Sequence, residues 1–269
     1  MKNSFMHPLG ILGCGWLGIP LGIQLQKEGC QVRGSRTSNA GIKVLSEKGI
    51  DGYRVLLEED ETIGIDSFLD GLKTLIISIP PGRTKKNEAY EQKIKLVIKA
   101  LEKSTLERIL FLSSTSVYGS AAGTYDEASS VIPETISAKA IYACEQALKK
   151  QAIPSVIVRL GGLIGADRNP IIQLQEKTIP NPKGRINFID QNDAVNGIIS
   201  LIANPALQGV FNLVSPHHPV REIYYKHMAK KFALSPPKFS ADPPQVRIIK
   251  GQKITSITSF HYTVDNLLI

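Results

Sequence analysis

Gly13-Cys14-Gly15-Trp16-Leu17-Gly18 follows a short apolar stretch, Leu9 to Leu12, and opens an apolar helical pattern, Trp16 to Leu25. A G-x-G-x-x-G loop between a first strand and a first helix is where a dinucleotide pyrophosphate sits. Gly13 permits the tight turn, Gly15 lets the backbone approach the phosphates, and Gly18 lets the helix pack closely on the strand. Trp16 and Leu17 lie inside the loop and share its backbone. The helix N-terminus adds unpaired N–H groups and a partial positive charge. Pro20 is compatible, because an N–H missing from the first helical turn costs little. The plainer alternative is a glycine-rich turn in an apolar segment. The strand-like run that follows, Gln31 to Gly34, favours the nucleotide loop.

The end of that second strand speaks to the dinucleotide. An NAD site usually places Asp or Glu about 20 residues past the loop, to accept from the ribose 2′-OH. No acid stands between Glu28 and Glu47; the strand runs instead into Ser35-Arg36-Thr37-Ser38. A carboxylate would repel a 2′-phosphate, whereas a guanidinium with hydroxyls would bind it through charge-assisted hydrogen bonds. NADP(H) is therefore expected over NAD(H), selected by Ser35, Arg36 and Thr37. The competing reading is a solvated polar turn that happens to carry one Arg.

At 269 residues the chain has room for one large domain or a domain plus a lobe, and its formal charge of +8 suits an anionic ligand. Lys and Arg are spread along the chain without an arginine-rich stripe, so no nucleic-acid partner is expected. Cys14, Cys30 and Cys144 make an odd, irregularly spaced set that forms neither a disulfide framework nor a metal quartet, which fits a reducing cytoplasm. The run Leu9 to Leu25 lacks a small-x-small cleavage site, and its glycines fit the nucleotide loop better than a signal peptide. No stretch free of Gly, Pro and charge is long enough for a membrane span, so no membrane partner is expected.

Strand and helix patterns alternate, which points to a parallel sheet with crossover helices. A helix is expected near Asn39 to Lys48, and strands near Tyr53 to Leu57 and from Leu72 to Ile79. The latter ends in the breaker Pro80-Pro81-Gly82 at the carboxyl edge, where Ile79, Pro80 and Pro81 should line the ribose side of the groove. Thr84 to Lys103 reads as a helix with Tyr90, Ile94, Val97, Ile98 and Leu101 on one face. Arg108 to Leu112 is a strand running into Ser113-Ser114-Thr115-Ser116, where Ser113 is expected beside the dinucleotide. Ile136 to Lys150 is a helix with Ile136, Ala140, Ile141, Cys144, Ala147 and Leu148 in one stripe, so Cys144 reads as core. Ser155 to Leu160 and Val210 to Val214 read as strands, Asp193 to Leu201 and Val220 to Phe232 as helices. Pro236, Pro237, Pro243 and Pro244 argue for fixed turns in the tail. The fold class expected is α/β, a doubly wound parallel Rossmann-type sheet. Residues 1–165 form the dinucleotide-binding core and 166–269 a smaller substrate-side lobe interleaved with the last core elements.

Several segments in order resemble the extended short-chain dehydrogenase/reductase family. They are the GCGWLG loop, Leu112-Ser113-Ser114-Thr115-Ser116-Val117-Tyr118-Gly119, the acidic turn Tyr125-Asp126-Glu127, Arg159 to Gly165, and Asn187-Phe188-Ile189 through Asp193-Ala194-Val195. The chain is most similar to an atypical, shortened, epimerase-like subgroup in which GCGWLG and Pro-Pro-Gly-Arg segments recur. The resemblance implies hydride exchange with a small polar substrate, such as a nucleotide sugar. It also implies a homodimer formed through helices matching Thr84 to Lys103 and Ile136 to Lys150.

In that family a Ser or Thr, a Tyr, and a Lys four residues after the Tyr act on a substrate hydroxyl or carbonyl. A free phenol has a pKa of about 10 and is a poor base near neutrality, so a neighbouring ammonium is needed to lower it. Ser114 matches the Ser/Thr position. Aligning Glu145 with the family's helix glutamate puts Ser137 at the Tyr position and Ile141 at the Lys position. Lys139 and Tyr142 share a helix face in reversed order and make a weak substitute. Three readings remain open: an enzyme in which Ser114 and Tyr118 handle the proton, a dinucleotide-binding sensor or scaffold without turnover, and a relic that binds nothing. Tyr118 has the plainer role of packing its loop, and Arg159 either orients the dinucleotide or pairs with a carboxylate. His217-His218 and the acidic run Glu58 to Glu61 lack metal-ligand spacing, and Lys226, Lys230 and Lys231 read as solvent-facing.

Overall fold

Apolar runs without alternation, such as Leu75-Ile76-Ile77 and Ile109-Leu110-Phe111, bury both faces of a strand, and that requires helices on both sides of the sheet. The computed structural model describes residues 7–58, 62–81 and 88–269, with side chains 88 and 89 excepted. Seven strands make its central sheet: β1 (Leu9–Leu12), β2 (Val32–Arg36), β3 (Asp51–Arg54), β4 (Thr74–Ile77), β5 (Arg108–Ser114), β6 (Ser155–Leu160) and β7 (Gly209–Leu213). Their order is β7-β6-β5-β4-β1-β2-β3, and every pair is parallel. The winding reverses between β1 and β4, so a crevice opens there at the carboxyl edge. This is the doubly wound α/β architecture expected from the alternating pattern.

Six longer helices flank the sheet: α1 (Gly18–Lys27), α2 (Asn39–Glu47), α3 (Glu88–Leu101), α4 (Ile136–Lys149), α5 (Gln191–Ile202) and α6 (Arg221–Lys231). Leu21 and Leu25 of α1 join Ile198 and Leu201 of α5 in one core layer with Ile11 and Phe211. Tyr90, Ile94 and Val97 of α3 join Ile141, Cys144 and Leu148 of α4 in the other, with Ile77 and Phe111. Tyr224, Tyr225 and Met228 of α6 form a third cluster with Ile164 and Ile171. Ser38, Thr135 and Asp190 cap α2, α4 and α5 by accepting from backbone N–H groups.

Several boundaries differ from expectation. β2 runs on to Arg36, so Ser35 and Arg36 belong to a strand and not to a loop. The strand expected over Tyr53 to Leu57 is divided between β3 and a short antiparallel pair, Leu56–Leu57 with Thr62–Ile63. The expected helix start at Thr84, with Gly82 and Arg83 of the breaker and residues 59–61 of the acidic run, lies outside the described residues. Ile136 opens α4 on its solvent side at 66% exposure, not on the core stripe. The tail carries no long helix. It adds Lys238–Phe239 to Thr178–Ile179 and Arg247–Ile249 to Gly123–Tyr125, both in parallel. Buried Asp193 anchors it by accepting from the Thr263 N–H and hydroxyl and from the Val264 N–H. All three cysteines are buried and unpaired. Among the described residues no helix is long and apolar enough to cross a membrane.

One buried ion pair ties α4 to the sheet. Arg159 of β6 meets Glu145 through two hydrogen bonds of 3.0 and 2.7 Å, both side chains almost wholly buried. The Ser113 hydroxyl donates to the same carboxylate. The Arg159 guanidinium also stacks 4.8 Å over the Tyr118 ring. Replacing one member strands a buried charge, whereas replacing both with apolar groups does not. Arg159→Met should therefore lose about 3–5 kcal/mol in urea unfolding. Glu145→Leu combined with Arg159→Met should recover most of that loss.

Candidate functional site

Leaving β1, the chain turns at once, and Gly13 holds φ at +89°, which a side chain rarely tolerates. A Cβ there would also press on the Ser78 and Ile79 backbone at 3.0 Å. The Gly13 N–H donates to Ser35 Oγ at 2.9 Å and the Cys14 N–H to the Ser35 carbonyl at 3.0 Å. The glycine loop is thus clamped between β4 on one side and β2 on the other. Gly18 sets the approach of α1 to β1, since a Cβ there would meet Ile11 Cγ2 at 3.1 Å. Gly15 is different. Its Cβ would make only ordinary contacts, Arg36 Nη1 at 3.5 Å and the Gly13 carbonyl at 3.9 Å. Burial pushes the Cys14 thiol up to about 12, against the pull of Arg36, so it stays neutral.

α1 starts with Leu17 at its N-cap and no side-chain cap. Ile19 N–H reaches the Gly15 carbonyl, but among the described residues the N–H groups of Trp16, Leu17 and Gly18 have no acceptor. These donors, a glycine whose Cβ would make only ordinary contacts and a helix N-terminus together fit a pyrophosphate. They open into a groove of about 460 Å³, lined by Gly13, Gly15, Trp16 and Leu17, by Ser78, Ile79, Pro80 and Pro81, and by Ser113 and Ser114.

The second-strand cluster does not act together. Ser35 is buried in β2 and its hydroxyl is used by Gly13, which corrects its expected role at a 2′-phosphate. The Ser38 hydroxyl caps α2, and Thr37 is exposed. Arg36 lies across the loop instead, donating from Nη1 to the Cys14 carbonyl at 3.2 Å. Gly41 makes room for it: a Cβ there would come within 2.8 Å of Arg36 Nε. Arg36 stays beside Gly15 of the groove wall, its Nη1 3.5 Å from where a Gly15 Cβ would stand, and Thr37 is exposed to solvent.

At the other end, Ser114, Ser137 and Ile141 line the same groove. Ser114 Oγ accepts from the Ser116 N–H at 3.1 Å, and Ser137 Oγ lies 3.2 Å from Thr135 Oγ1. Ser113 is 5% exposed, and its hydroxyl is held by Glu145. Tyr118 is corrected outright as a proton carrier. It is 1% exposed, donates to Asn212 Oδ1 at 2.9 Å, and has its pKa raised by burial against the Arg159 charge. Arg159 resolves as a carboxylate partner. Tyr90 and Arg168 are the ionisable side chains on the described lining. The Tyr90 phenol donates to the Ile79 carbonyl, and burial drives its pKa well above the usual range.

Past Ser114 and Ser116 the groove meets two adjoining cavities of about 450 and 780 Å³. Arg185, Arg221 and Arg247 line both. They donate to the carbonyls of His218, Pro180 and Gly119 respectively, and among the described residues none has a carboxylate at ion-pair distance. Burial, aided by Arg221, holds the Arg247 pKa below its ordinary value. These arginines lie up to 62 positions apart on three separate segments, so no local pattern announces them. His217 and His218 are spent on the Leu267 N–H and the Ile186 carbonyl.

No family model matches the chain. Protein YeeZ of Escherichia coli K12 is 33% identical over 271 residues, an alignment spanning 98% of this chain and 98% of YeeZ. Among solved structures, UDP-glucuronic acid 4-epimerase from Bacillus cereus in complex with UDP-glucuronic acid and NAD superimposes with a TM-score of 0.79 at 17% identity, covering 97% of this chain and 95% of that one. WbmG of Bordetella bronchiseptica, in complex with NAD, gives 0.80 at 17%, covering 98% and 92%. A functionally unknown conserved protein from Silicibacter pomeroyi DSS gives 0.75 at 20%, covering 98% and 96%. At these identities the structures share the fold.

The loop geometry separates two glycines in a thermal unfolding experiment. Gly13→Ala should lose about 1–3 kcal/mol through its positive φ and its contact with β4. Gly15→Ala, whose Cβ would make only ordinary contacts and needs no positive φ, should stay within about 0.5 kcal/mol of the parent.

Proposed function

The chain belongs to the family of Escherichia coli protein YeeZ, and from its site we propose that it binds NADP(H) together with an anionic, nucleotide-sugar-like substrate in one continuous cleft. The observation that carries this reading is the shared wall of Ser114 and Ser116. It joins a pyrophosphate-fitting groove to a cavity lined by three guanidinium groups with no carboxylate at ion-pair distance among the described residues. Unpaired arginines suit a diphosphate, which each fork engages through paired hydrogen bonds. The Bacillus cereus structure of the same fold holds NAD and a UDP-sugar, which supports the pairing of ligands. Arg36, with no acid from residue 29 to 46, favours a 2′-phosphate over a free ribose hydroxyl.

Bound nicotinamide would supply hydride exchange with a substrate carbon. Ser114 and Ser137 would hydrogen-bond the substrate oxygen and hold it in place. Neither hydroxyl is a base near neutral pH, and Ile141 brings no ammonium to help. The proton released when a substrate hydroxyl is oxidised therefore goes to water. A second reading, a dinucleotide-binding sensor or scaffold without turnover, is favoured by the same Ile141.

Calorimetric titration should show NADPH binding more tightly than NADH by at least about tenfold, the worth of one charge-assisted contact. Arg36→Ala should erase that ratio; an unchanged ratio would remove Arg36 as selector. Oxidation of an accepted substrate should accelerate steadily with pH, with no plateau set by a protein group. Ser137→Tyr with Ile141→Lys, which builds the missing pair, should raise the rate about 10²–10⁴-fold at neutral pH. Binding without hydride exchange in either protein would select the sensor reading.

A further inference from the structure

The glycine loop is held from a direction that its motif does not announce. The turn Gly165–Arg168, beyond β6, closes through a reciprocal pair of backbone hydrogen bonds, 2.9 Å from the Gly165 N–H and 3.2 Å from the Arg168 N–H. It lies against Trp16. A Cβ on Gly165 would come within 2.9 Å of the indole. Trp16 Nε1 donates to Asp167 Oδ1 at 2.9 Å, and Gln191 Nε2 donates to the Trp16 carbonyl at 2.9 Å. Asp167 is therefore turned to the indole, and its neighbour Arg168 is left for the groove.

The Arg168 guanidinium stands 4.8 Å over the Trp16 ring, on the wall of the groove into which the loop N–H groups without an acceptor among the described residues open. It lines the groove together with Gly13, Gly15 and Leu17, and it has no carboxylate at ion-pair distance among the described residues. An aromatic face fixes the plane of the fork without using its donors. A cation so placed has its hydrogen-bonding edge available to an anion bound on the loop.

We propose that Arg168 is a ligand of the dinucleotide pyrophosphate, carried to the glycine loop by the Gly165–Arg168 turn and oriented by stacking on Trp16. This rests on the dinucleotide reading of the groove and adds to it a contact from the second half of the chain. The loop supplies neutral N–H donors, and Arg168 supplies the charge. Affinity for the pyrophosphate then depends on salt more steeply than backbone donors alone would make it.

Trp16 is the single tryptophan of the chain, so its emission reports on this loop. The probes are NADPH, ADP-ribose, which keeps the pyrophosphate without nicotinamide or 2′-phosphate, and adenosine 2′-monophosphate, which has no pyrophosphate. Wild-type protein should show Trp16 quenching and energy transfer to bound NADPH. Arg168→Met should weaken NADPH and ADP-ribose alike by about 10–100-fold, the worth of one charged hydrogen bond, and flatten their salt dependence. It should leave adenosine 2′-monophosphate unchanged. Arg168→Lys should fall between. Asp167→Asn, which disturbs the indole contact but keeps the cation, serves as the control for loop shape and should cost much less. Unchanged NADPH and ADP-ribose binding in Arg168→Met would overturn the assignment and leave the dinucleotide reading standing. Equal weakening of all three probes would also overturn it, by making Arg168 a prop of the loop. A wild-type protein that binds neither NADPH nor ADP-ribose would overturn both.

Discussion

The hydrogen bond from the Gly13 N–H to Ser35 Oγ is the constraint on which the cleft depends. A chain leaving a buried strand must turn sharply, and its first N–H would be orphaned in the turn. Ser35 satisfies that donor from the neighbouring strand, while the backbone of Ser78 and Ile79 presses from the other side. The loop is thereby fixed between β2 and β4, at the point where the winding of the sheet reverses. The N–H groups of Trp16, Leu17 and Gly18, without an acceptor among the described residues, follow from that fixation, because a loop free to relax would find them partners. An anion-binding surface is what remains when a tight loop is held away from its own acceptors.

A second fixation sets the opposite end. Glu145 and Arg159 lock α4 to β6 inside the core, and Ser113 joins them from β5. One turn before Glu145 stands Ile141, and one turn before that Ser137, so the buried pair sets their distance from Ser114. A like-sized apolar pair would pack as well, and such pairs are often no less stable than ionic ones. What the ion pair adds is direction. A carboxylate receiving a bidentate fork and a hydroxyl admits one register of helix against strand. The same network runs outward through Tyr118 to Asn212 and, by the Asn212 N–H, to Glu127. It links the groove floor to the ribbon that carries Arg247.

The sheet and its helices were legible because buried parallel strands and amphipathic helices write different periods into the chain. The glycine loop was legible because each of its three glycines answers a separate steric demand. Ser35 was misread for a physical reason. A serine three residues before Ser38-Asn39 reads as turn chemistry, yet β2 continues past it, and the hydroxyl faces a donor 22 positions back in the chain. Tyr118 sits in a loop that borders the groove. Only three-dimensional packing shows that its phenol turns inward to Asn212, 94 positions on. Arg185, Arg221 and Arg247 escape any window because three separate segments bring them together. Aligning on Glu145 pointed to Ser137 and Ile141, and the structure puts both on the groove wall while Glu145 itself is buried.

The distribution of charge suits the proposed cleft to holding anions more than to moving protons. Arg168 lines the groove, Arg185, Arg221 and Arg247 line the cavities beyond it, and Arg36 lies across the glycine loop; none has a carboxylate at ion-pair distance among the described residues. Guanidinium groups keep their protons at any ordinary pH, so they fix charge without exchanging it. Low-dielectric walls concentrate the field of such a row and draw anions in. Proton exchange needs the opposite kind of group, one whose charge changes near neutrality. The position one turn past Ser137, where an ammonium would tune a neighbouring phenol, carries the alkyl chain of Ile141 at 5% exposure. These guanidinium groups thus give the cleft fixed positive charge, and in the enzyme reading proposed above the chemistry exchanges its proton with the solvent.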